Sequence, residues 1–419
     1  MAANRHHFLA GQTVIVAGGG IAGLSFAIAL SKLWERTAER PRIVVYDRDT
    51  REVNLDREGY SLSLHGTDKD AGLVALQQLG LLEEILDHAV LGLDETGSFK
   101  IWDQDWKELI RIKPKPYGDL PTAGIRIARK DLRRILVNAA ERAEVTIQWE
   151  AKCTAARRLG DGRLAVAVSR SDNDSDATEQ ECDVLVAADG NRSKIRQSFR
   201  PKDGLQFVGV NQLGANAKFP DGIPQPIDNN WGLTLSSHGV CCFFSPVDKQ
   251  TVVWGLSRLE PERQGFDPQL SPEEQCRAIV KEAKEVGHMF AEPFGTIVSA
   301  TDPTSIFLFP ARDKQPFYHD AALRGIIFIG DANHAVSPFA GNGANLALKD
   351  GWDLAEKLCQ SESLDQAVSA YDKLSVPRAQ ATLKTSHQRI DFVHYTGIKS
   401  ALLRVALAVG RGFLWLTGK

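Results

Sequence analysis

Short apolar runs, alternating stretches and helical spacings follow one another along this chain, and each predicts a different element. Continuous apolar runs predict buried strands. They occur at Gln12 to Ala17, Arg42 to Tyr46, Cys182 to Ala188 and Gly325 to Ile329. Alternation of apolar and polar residues predicts half-buried strands. It marks Gly59 to Leu64, and then Phe207 to Ala217, Trp231 to Ser236, Val240 to Phe244 and Thr251 to Leu256. Turn residues such as His238-Gly239 and Asp248-Lys249 separate these last runs, which predicts an antiparallel sheet and a second domain. Ser98 to Trp106 and Leu109 to Lys113 also read as strands. Helices are predicted at Ile21 to Leu33, at Asp70 to Ala89 with a break near Gly80, at Arg129 to Arg142 and at Ala344 to Leu358. In Arg129 to Arg142, the residues Leu132, Ile135, Leu136 and Ala139 share one face. A further helix, Ser271 to Phe290, opens with the N-cap sequence Ser-Pro-Glu-Glu.

The remaining stretches fill in the architecture. Val145 to Trp149, Ala155 to Leu159 and Leu164 to Ser169 read as a β-meander. Ser171 to Glu181 is acidic and nearly devoid of apolar side chains, which predicts an exposed turn or mobile loop. Ile306 to Pro310 is expected to lead back to the first domain. Tyr371 to Arg389 reads as a long polar-faced helix. Ser400 to Leu416 is strongly apolar but short, and Arg404 and Arg411 interrupt it, so it does not read as a membrane span. It is expected to dock along both domains, with a helix lying on a membrane surface as the other reading.

Two glycine-rich turns, more than three hundred residues apart, carry the candidate chemistry. In the first, Gly18, Gly20 and Gly23 fit G-x-G-x-x-G between a strand and a helix. One glycine makes the turn, one lets backbone approach a pyrophosphate, and one lets helix pack on strand. The helix start offers free N–H groups to phosphates. Asp47 ends the second strand, where an acid accepts hydrogen bonds from a ribose. Its distance from Gly23 exceeds the usual spacing of about 20 residues, and the polar stretch Glu35 to Pro41 accounts for the excess. The motif alone does not separate FAD from NAD(P). The second turn is Gly330-Asp331 at a strand end, followed by Pro338, Gly341 and Gly343 before a helix. An aspartate there lies at the carboxyl edge of a parallel sheet, where such folds bind ligands. The helix start beyond it can stabilise a group that becomes negative, such as the N1–C2=O locus of a reduced flavin.

Composition narrows the class. A length of 419 residues suggests two or three domain-sized units. Hydrophobic content of 43% and charged content of 25% are ordinary for a soluble protein. The net charge of −3 argues against nucleic acid as a partner. The six cysteines show no C-x-x-C or Cys/His metal spacing and no secretory segment precedes them, so a cytoplasmic protein with reduced thiols and no metal is expected. His6-His7 sits in a polar leader and reads as part of a natural end.

With these motifs in order, the chain resembles the class A flavoprotein aromatic hydroxylases, the p-hydroxybenzoate hydroxylase fold. Within them it is most similar to tetracycline-inactivating and fungal secondary-metabolite monooxygenases. Three motifs carry the resemblance over residues 12 to 360: Gly18 to Gly23 with Asp47, the segment Ala187-Ala188-Asp189-Gly190-Asn191-Arg192-Ser193, and Gly330-Asp331 with Pro338 to Gly343 as P-F-x-G-x-G. Arg129-Lys130-Asp131-Leu132-Arg133 is similar to the family's R-x-D-L-R. Asp47 is one methylene shorter than the family's usual glutamate.

The resemblance implies an α/β fold. It consists of a Rossmann-like FAD-binding domain with a mixed or parallel sheet and β-meander, an antiparallel-sheet substrate domain, and a C-terminal bridging helix. The expected division is 1–85, 124–202 and 310–358 for the FAD domain, 86–123 and 203–309 for the substrate domain, and 359–419 for C-terminal helices. It implies non-covalent FAD, NAD(P)H as co-substrate, molecular oxygen, and a small-molecule substrate oxygenated by way of a C4a-hydroperoxide. The substrate class implied is a small aromatic or a polyketide- or terpenoid-like metabolite. A flavin dehydrogenase or oxidase that inserts no oxygen is the alternative. Gly18, Gly20 and Gly23 would cradle the pyrophosphate and Asp47 the adenosine ribose. Gly59 and Arg129 would line the flavin, and Asp189 would serve FAD and NAD(P)H handling. Asp331 would contact the ribityl chain and Gly343, Ala344 and Asn345 the isoalloxazine, with Pro338 and Gly341 of the same loop also cofactor-binding. Arg48 is either a further contact or a surface charge. No protein acid or base is assigned: His334 reads as a packed histidine, and His65 and His238 carry no assigned role. Phe243 and Trp254, on adjacent predicted strands, are the candidate substrate contacts, with at least one expected to touch substrate.

Overall fold

The computed structural model describes residues 7–34, 39–52, 59–170, 176–267 and 269–417, with side chains to residue 407. His6, the 35–38 part of the polar stretch, and the 171–175 part of the acidic run lie outside the described residues.

The nucleotide-type half is built on a parallel five-stranded sheet. Strand β1 (Thr13–Ala17) feeds helix α1 (Ile21–Leu33), and β2 (Arg42–Tyr46) pairs beside β1. Strand β3 (Ser61–His65) precedes the short helices α2 (Gly72–Leu79) and α3 (Leu82–Asp87). After these come β4 (Ala89–Gly92), β5 (Ser98–Asp103) and β6 (Glu108–Ile112). Strand β7 (Gly124–Ala128) leads into helix α4 (Arg129–Arg142), and β8 (Thr146–Gln148) follows. Strands β9 (Lys152–Arg158), β10 (Leu164–Ser169) and β11 (Thr178–Cys182) form an antiparallel three-stranded sheet. Strand β12 (Val184–Ala187) then returns beside β1, and helix α5 is Lys194–Phe199. The second half adds β13 (Gln206–Lys218), β14 (Asn230–Leu235), β15 (Val240–Pro246) and β16 (Thr251–Leu259). Helices α6 (Pro272–Val286) and α7 (Phe294–Ser299) precede β17 (Phe307–Asp313), and β18 (Ile326–Phe328) closes the strand list. Four more helices complete the described chain: α8 (Asp331–His334), α9 (Gly343–Gln360), α10 (Leu364–Val393) and α11 (Gly397–Thr417).

The parallel sheet runs β18-β12-β1-β2-β8. Its residues alternate between two cores, as strand geometry requires. Val14, Val16, Val45, Val184, Val186 and Ile327 pack with α1, α4 and α9 on one face. Ile15, Ala17, Val44, Leu185, Ala187 and Phe328 pack with Leu164, Val166 and Val168 of the three-stranded sheet on the other. Both faces are covered, which is why these strands read as unbroken apolar runs. A glycine at 351 lets α9 approach α1 closely: a Cβ there would stand 2.6 Å from the Phe26 nitrogen.

The larger sheet runs β17-β13-β16-β15-β14-β5-β6. It is antiparallel except where β14 lies parallel to β5. One face buries Phe244, Trp254 and Leu256 against Ile279 and Ala283 of α6 and Phe294 and Ile297 of α7. A fourth sheet, the three-stranded β3-β7-β4, meets the large sheet where Ser61 Oγ lies 2.9 Å from the Pro246 carbonyl and meets α9 where Asn345 Nδ2 donates to the Ser63 carbonyl, so it stands between the two halves.

Four expectations change. Val145 to Trp149 does not join the meander, because β8 extends the parallel sheet beside β2. The acidic run does not remain a loop to its end. Its Thr178–Cys182 portion is an edge strand paired to β10, where side chains exposed on both sides leave little apolar signature. Ile306 to Pro310 does not lead straight back, since β17 is the edge of the large sheet and the chain leaves it only after Asp313. Helix α7 was not foreseen, being too short to show a period. The bridge between the halves is made by α10, one helix before the apolar end. Ala367 and Tyr371 of α10 share a core with α1 and α9, while Val393 packs with Leu235 and Cys241 of the large sheet. Just past its end, His394 Nε2 lies 3.0 Å from Ser257 Oγ.

Candidate active site

The first turn is shaped by where side chains cannot be. Gly18 has φ +108°, and a Cβ on it would strike the Ala188 carbonyl; a Cβ on Gly23 would strike the carbonyl of Gly18. Gly20 has nothing within 4 Å of its Cβ position and faces open space. It caps α1 without any side-chain hydrogen bond, so the first N–H groups of the helix point out of the turn unclaimed. Asp47 holds the turn in place: Oδ2 accepts from Gly19 N–H at 2.6 Å and Oδ1 from Asp49 N–H at 2.8 Å. Burial pushes its carboxyl pKa up, against the lowering pull of those backbone bonds. Each oxygen keeps a second lone pair, but Asp47 itself does not line the interior cavity.

The second turn is held from behind. Gly330 takes φ +56°, and its N–H donates to Asp350 Oδ2 at 2.9 Å. The same oxygen lies 2.6 Å from His334 Nε2, and Asp350 Oδ1 accepts from Ser375 and Arg378 at 2.9 and 3.0 Å. Burial alone would raise the Asp350 carboxyl. The His334 ring, Arg378 and the Gly330 N–H outweigh it and hold the group well below the ordinary carboxylate range. His334 is therefore a buried brace of the turn, as its packed reading expected. Asp331 is turned the other way. Its carboxylate opens to the interior cavity while protein encloses it on the remaining sides, and that burial raises its pKa against the lowering pull of His334, Arg129 and Arg196.

Beyond Asp331, Gly341 at φ +60° turns the loop into α9. The Gly341 carbonyl lies 3.0 Å from His65 Nε2. Burial lowers the pKa of this histidine, so its ring is neutral at pH 7. Asn345 fixes the start of α9: its Oδ1 accepts from His65 N–H at 2.7 Å and Gly72 N–H at 3.2 Å, and its Nδ2 donates to Ser63 O at 3.0 Å. Asn342, the N-cap, makes no side-chain cap bond, so the first N–H groups of α9 are also unclaimed.

Both helix starts open on one cavity of about 1400 Å³, above the range of a single drug-sized pocket. Of the residues singled out in the sequence, Gly20, Gly59, Arg129, Asp331, Pro338, Gly341, Gly343, Ala344 and Phe243 line it. Gly18 and Gly23 lie behind the turn and shape it. Arg48 is an exposed charge 3.9 Å from Asp49. Asp189 uses Oδ2 to accept from Ile195 N–H at the start of α5, while its other oxygen is buried without a hydrogen-bond partner; burial raises its pKa. Its neighbours Gly190, Asn191 and Arg192 face the cavity instead.

Two placements are corrections. The Asn345 side chain does not reach toward a ring, because three backbone groups of β3 and α2 occupy it. Trp254 is not a cavity residue. It is fully buried on the helix-covered face, and its Nε1 donates to Thr301 Oγ1 at 3.1 Å. Residues not singled out beforehand also belong here. Asn216 Nδ2 donates to the Gly59 carbonyl at 2.6 Å and ties the two halves together. Arg126, on β7, points a guanidinium to the cavity edge. An arginine inside the apolar run Gly-Ile-Arg-Ile-Ala is the signal that would have found it.

The residues present fit FAD. Two uncapped helix starts, open space over Gly20 and an open carboxylate at Asp331 lie along one cavity, which suits a long diphosphate with a ribityl chain and a polar ring. Similarity to known proteins agrees. The FAD binding domain family matches residues 12–386. The chain is 45% identical over 393 residues to monooxygenase cfoF of Aspergillus candidus, covering 94% of each. Among solved structures, Klebsiella pneumoniae HpxO complexed with FAD and uric acid superposes at TM-score 0.76 with 17% identity, covering 98% of this chain and 96% of that one. Tetracycline destructase Tet(51) superposes at TM-score 0.66 with 16% identity, covering 96% and 97%. At such identities these two likenesses describe the fold.

Proposed function

This chain belongs to the FAD binding domain family and is an FAD-dependent monooxygenase of class A; we propose that it uses NAD(P)H and O₂ to hydroxylate or epoxidise a small aromatic or polyketide- or terpenoid-like metabolite. The observation that carries this reading is the cavity itself. One end is polar, with two uncapped helix starts and Asp331, and the other is walled by Phe99, Trp231, Phe243, Phe307 and Phe309.

In this reading the N–H groups at Gly20 and in the first turn of α1 hold the pyrophosphate, and Asp47 holds the adenosine ribose. Asp331 accepts from the ribityl chain, and Arg129 and the Gly59 backbone flank it. The N–H groups of Gly343 and Ala344 point at the pyrimidine end, where a helix start stabilises negative charge. When bound, FAD accepts reducing equivalents from NAD(P)H and supplies activated oxygen to the substrate. The aromatic wall orients the substrate and keeps water from the reacting atoms. Asp189 acts through the Gly190 to Arg192 segment, which it fixes at the cavity rim. The buried thiols, with no disulfide among the described residues, suit a reducing cytoplasm.

The test is oxygen incorporation. Under ¹⁸O₂, with aromatic and polyketide metabolites screened as substrates, product should carry one labelled oxygen for each NAD(P)H consumed. Turnover that yields an oxidised product without label would replace this reading by a dehydrogenase or oxidase.

A further inference from the structure

We propose that Arg126 is the substrate anchor of this enzyme, binding an anionic oxygen (carboxylate, phenolate or enolate) on an aromatic substrate. The inference deepens the reading above and rests on it.

Arg126 lies at the centre of β7, 4% exposed, where the middle sheet meets the large one. Its guanidinium is held rigidly. Nη1 donates to Ser63 Oγ at 2.7 Å and Nη2 to the Ser61 carbonyl at 2.6 Å and to Ser61 Oγ. Ser61 Oγ in turn lies 2.9 Å from the Pro246 carbonyl of β15. The ring of Phe243, from the same strand, stands 5.6 Å from the guanidinium carbon and covers one face. These contacts use three of five N–H groups. Nε is buried with no hydrogen-bond partner.

Among the described residues no carboxylate lies within ion-pair distance of Arg126, and burial pulls its pKa down to about 9 with nothing acidic to offset it. The other arginines at the cavity are differently placed. Arg263 pairs with Glu282 and Arg312 with Glu262. Arg389 is exposed and donates to the Ala340 carbonyl. Arg129 is half-buried and Arg192 is exposed. A buried, uncompensated cation is costly. A fold that keeps one at a cavity wall, beside Phe243, Val253 and Phe307, has placed it for an anion that arrives from the cavity. The charge-assisted bond would be strong there, and the aromatic walls would take the ring attached to it. Phe243 and Val253 belong to the substrate-side sheet, which assigns the anion to substrate and not to the cofactor.

The experiment uses FAD-loaded protein and the probes benzoate and benzamide, alike in shape and different in charge. Binding is read from the change each causes in the visible spectrum of the bound flavin. The parent should bind benzoate at least about ten-fold more tightly than benzamide. Arg126→Met should erase that preference and leave FAD affinity unchanged. Arg126→Lys should weaken benzoate several-fold and leave benzamide as it was, and it carries the test if the Met variant does not fold. The proposal is overturned by a parent that shows no preference or binds neither probe, by variants that keep the preference, or by variants that lose FAD. Labelled-oxygen incorporation by the parent is scored separately, so a failed monooxygenase reading and a failed anchor are told apart.

Discussion

Phe243 and Trp254 look equivalent in the sequence, two large aromatics on neighbouring strands, and the register separates them. Phe244 faces Trp254 across the β15–β16 hairpin and Phe243 faces Gly255, so Phe243 and Trp254 point to opposite sides of the sheet. Trp254→Ala is expected to cost about 3–5 kcal/mol of stability and to leave coupling intact wherever the variant is folded. Phe243→Ala, at the cavity wall, should melt close to the parent but weaken substrate binding and release peroxide. Melting curves beside peroxide yield per NAD(P)H oxidised will distinguish the two, and a reversed pattern would mean that the faces are misassigned. Asp331 makes the sharper residue-scale prediction. Its carboxylate opens to the cavity and has no bracing role of its own, unlike Asp350 behind it. Losing a buried polar contact costs about 1–3 kcal/mol, so Asp331→Ala should bind FAD roughly 5- to 150-fold more weakly and purify largely as apoprotein. Retention of FAD at parental affinity would remove Asp331 from the cofactor site.

At the scale of elements, what was legible was what is local. The strand–glycine turn–helix of Gln12 to Leu33 and the strand-end pair Gly330-Asp331 are short patterns whose physics is complete within a few residues. The edge strands were not legible in the same way. Thr178–Cys182 buries only Cys182 at its very end, too little to mark its period, and nothing in Phe307–Asp313 says which of two sheets it joins. The brace behind the second turn was hidden for another reason, since it assembles Gly330, His334, Asp350, Ser375 and Arg378 from three helices and a turn. That brace predicts a pH dependence. The Asp350 carboxyl is held below its unfolded value, so its contribution to stability is complete above the ordinary aspartate pKa of about 4 and is lost as pH falls toward the folded value. The parent should therefore melt progressively earlier on acidification below about pH 4. Asp350→Asn should be less stable at neutral pH, by up to about 3–5 kcal/mol for a broken buried pair, and should show a flatter acid limb. An identical acid limb in parent and variant would exclude Asp350 as the titrating group.

At the scale of the whole molecule, the two halves share a cavity, and the long helix α10 spans them, which leaves the final helix with a narrower task. Helix α11 docks by one row: Ser400 is buried, and Leu403 packs with Leu109 and Ile110 of β6 and Phe392 of α10. A second row, Ile398, Leu402 and Val405, spaced by four and three residues, faces outward with exposures of 80, 63 and 61%. Over its described side chains the helix is therefore apolar on both sides, and among the described residues the inner row is the one that packs against the rest of the chain. Among the described residues no helix is long and apolar enough to cross a membrane. Deletion of residues 400–419 should uncover the β6 edge and lower the melting temperature, because the packing of Leu403 and the buried Ser400 is lost. FAD affinity should not change, since none of Ser400 to Leu407 lines the cofactor cavity. The wall should loosen, because Phe392, which Leu403 supports, does line it, and a modest rise in peroxide release is expected. Flotation with liposomes decides between the two tasks of the helix. If docking is its task, neither parent nor truncated protein floats and the truncated protein melts earlier. A parent that floats strongly, with a truncated form as stable as the parent, would assign the outward row to a membrane surface instead.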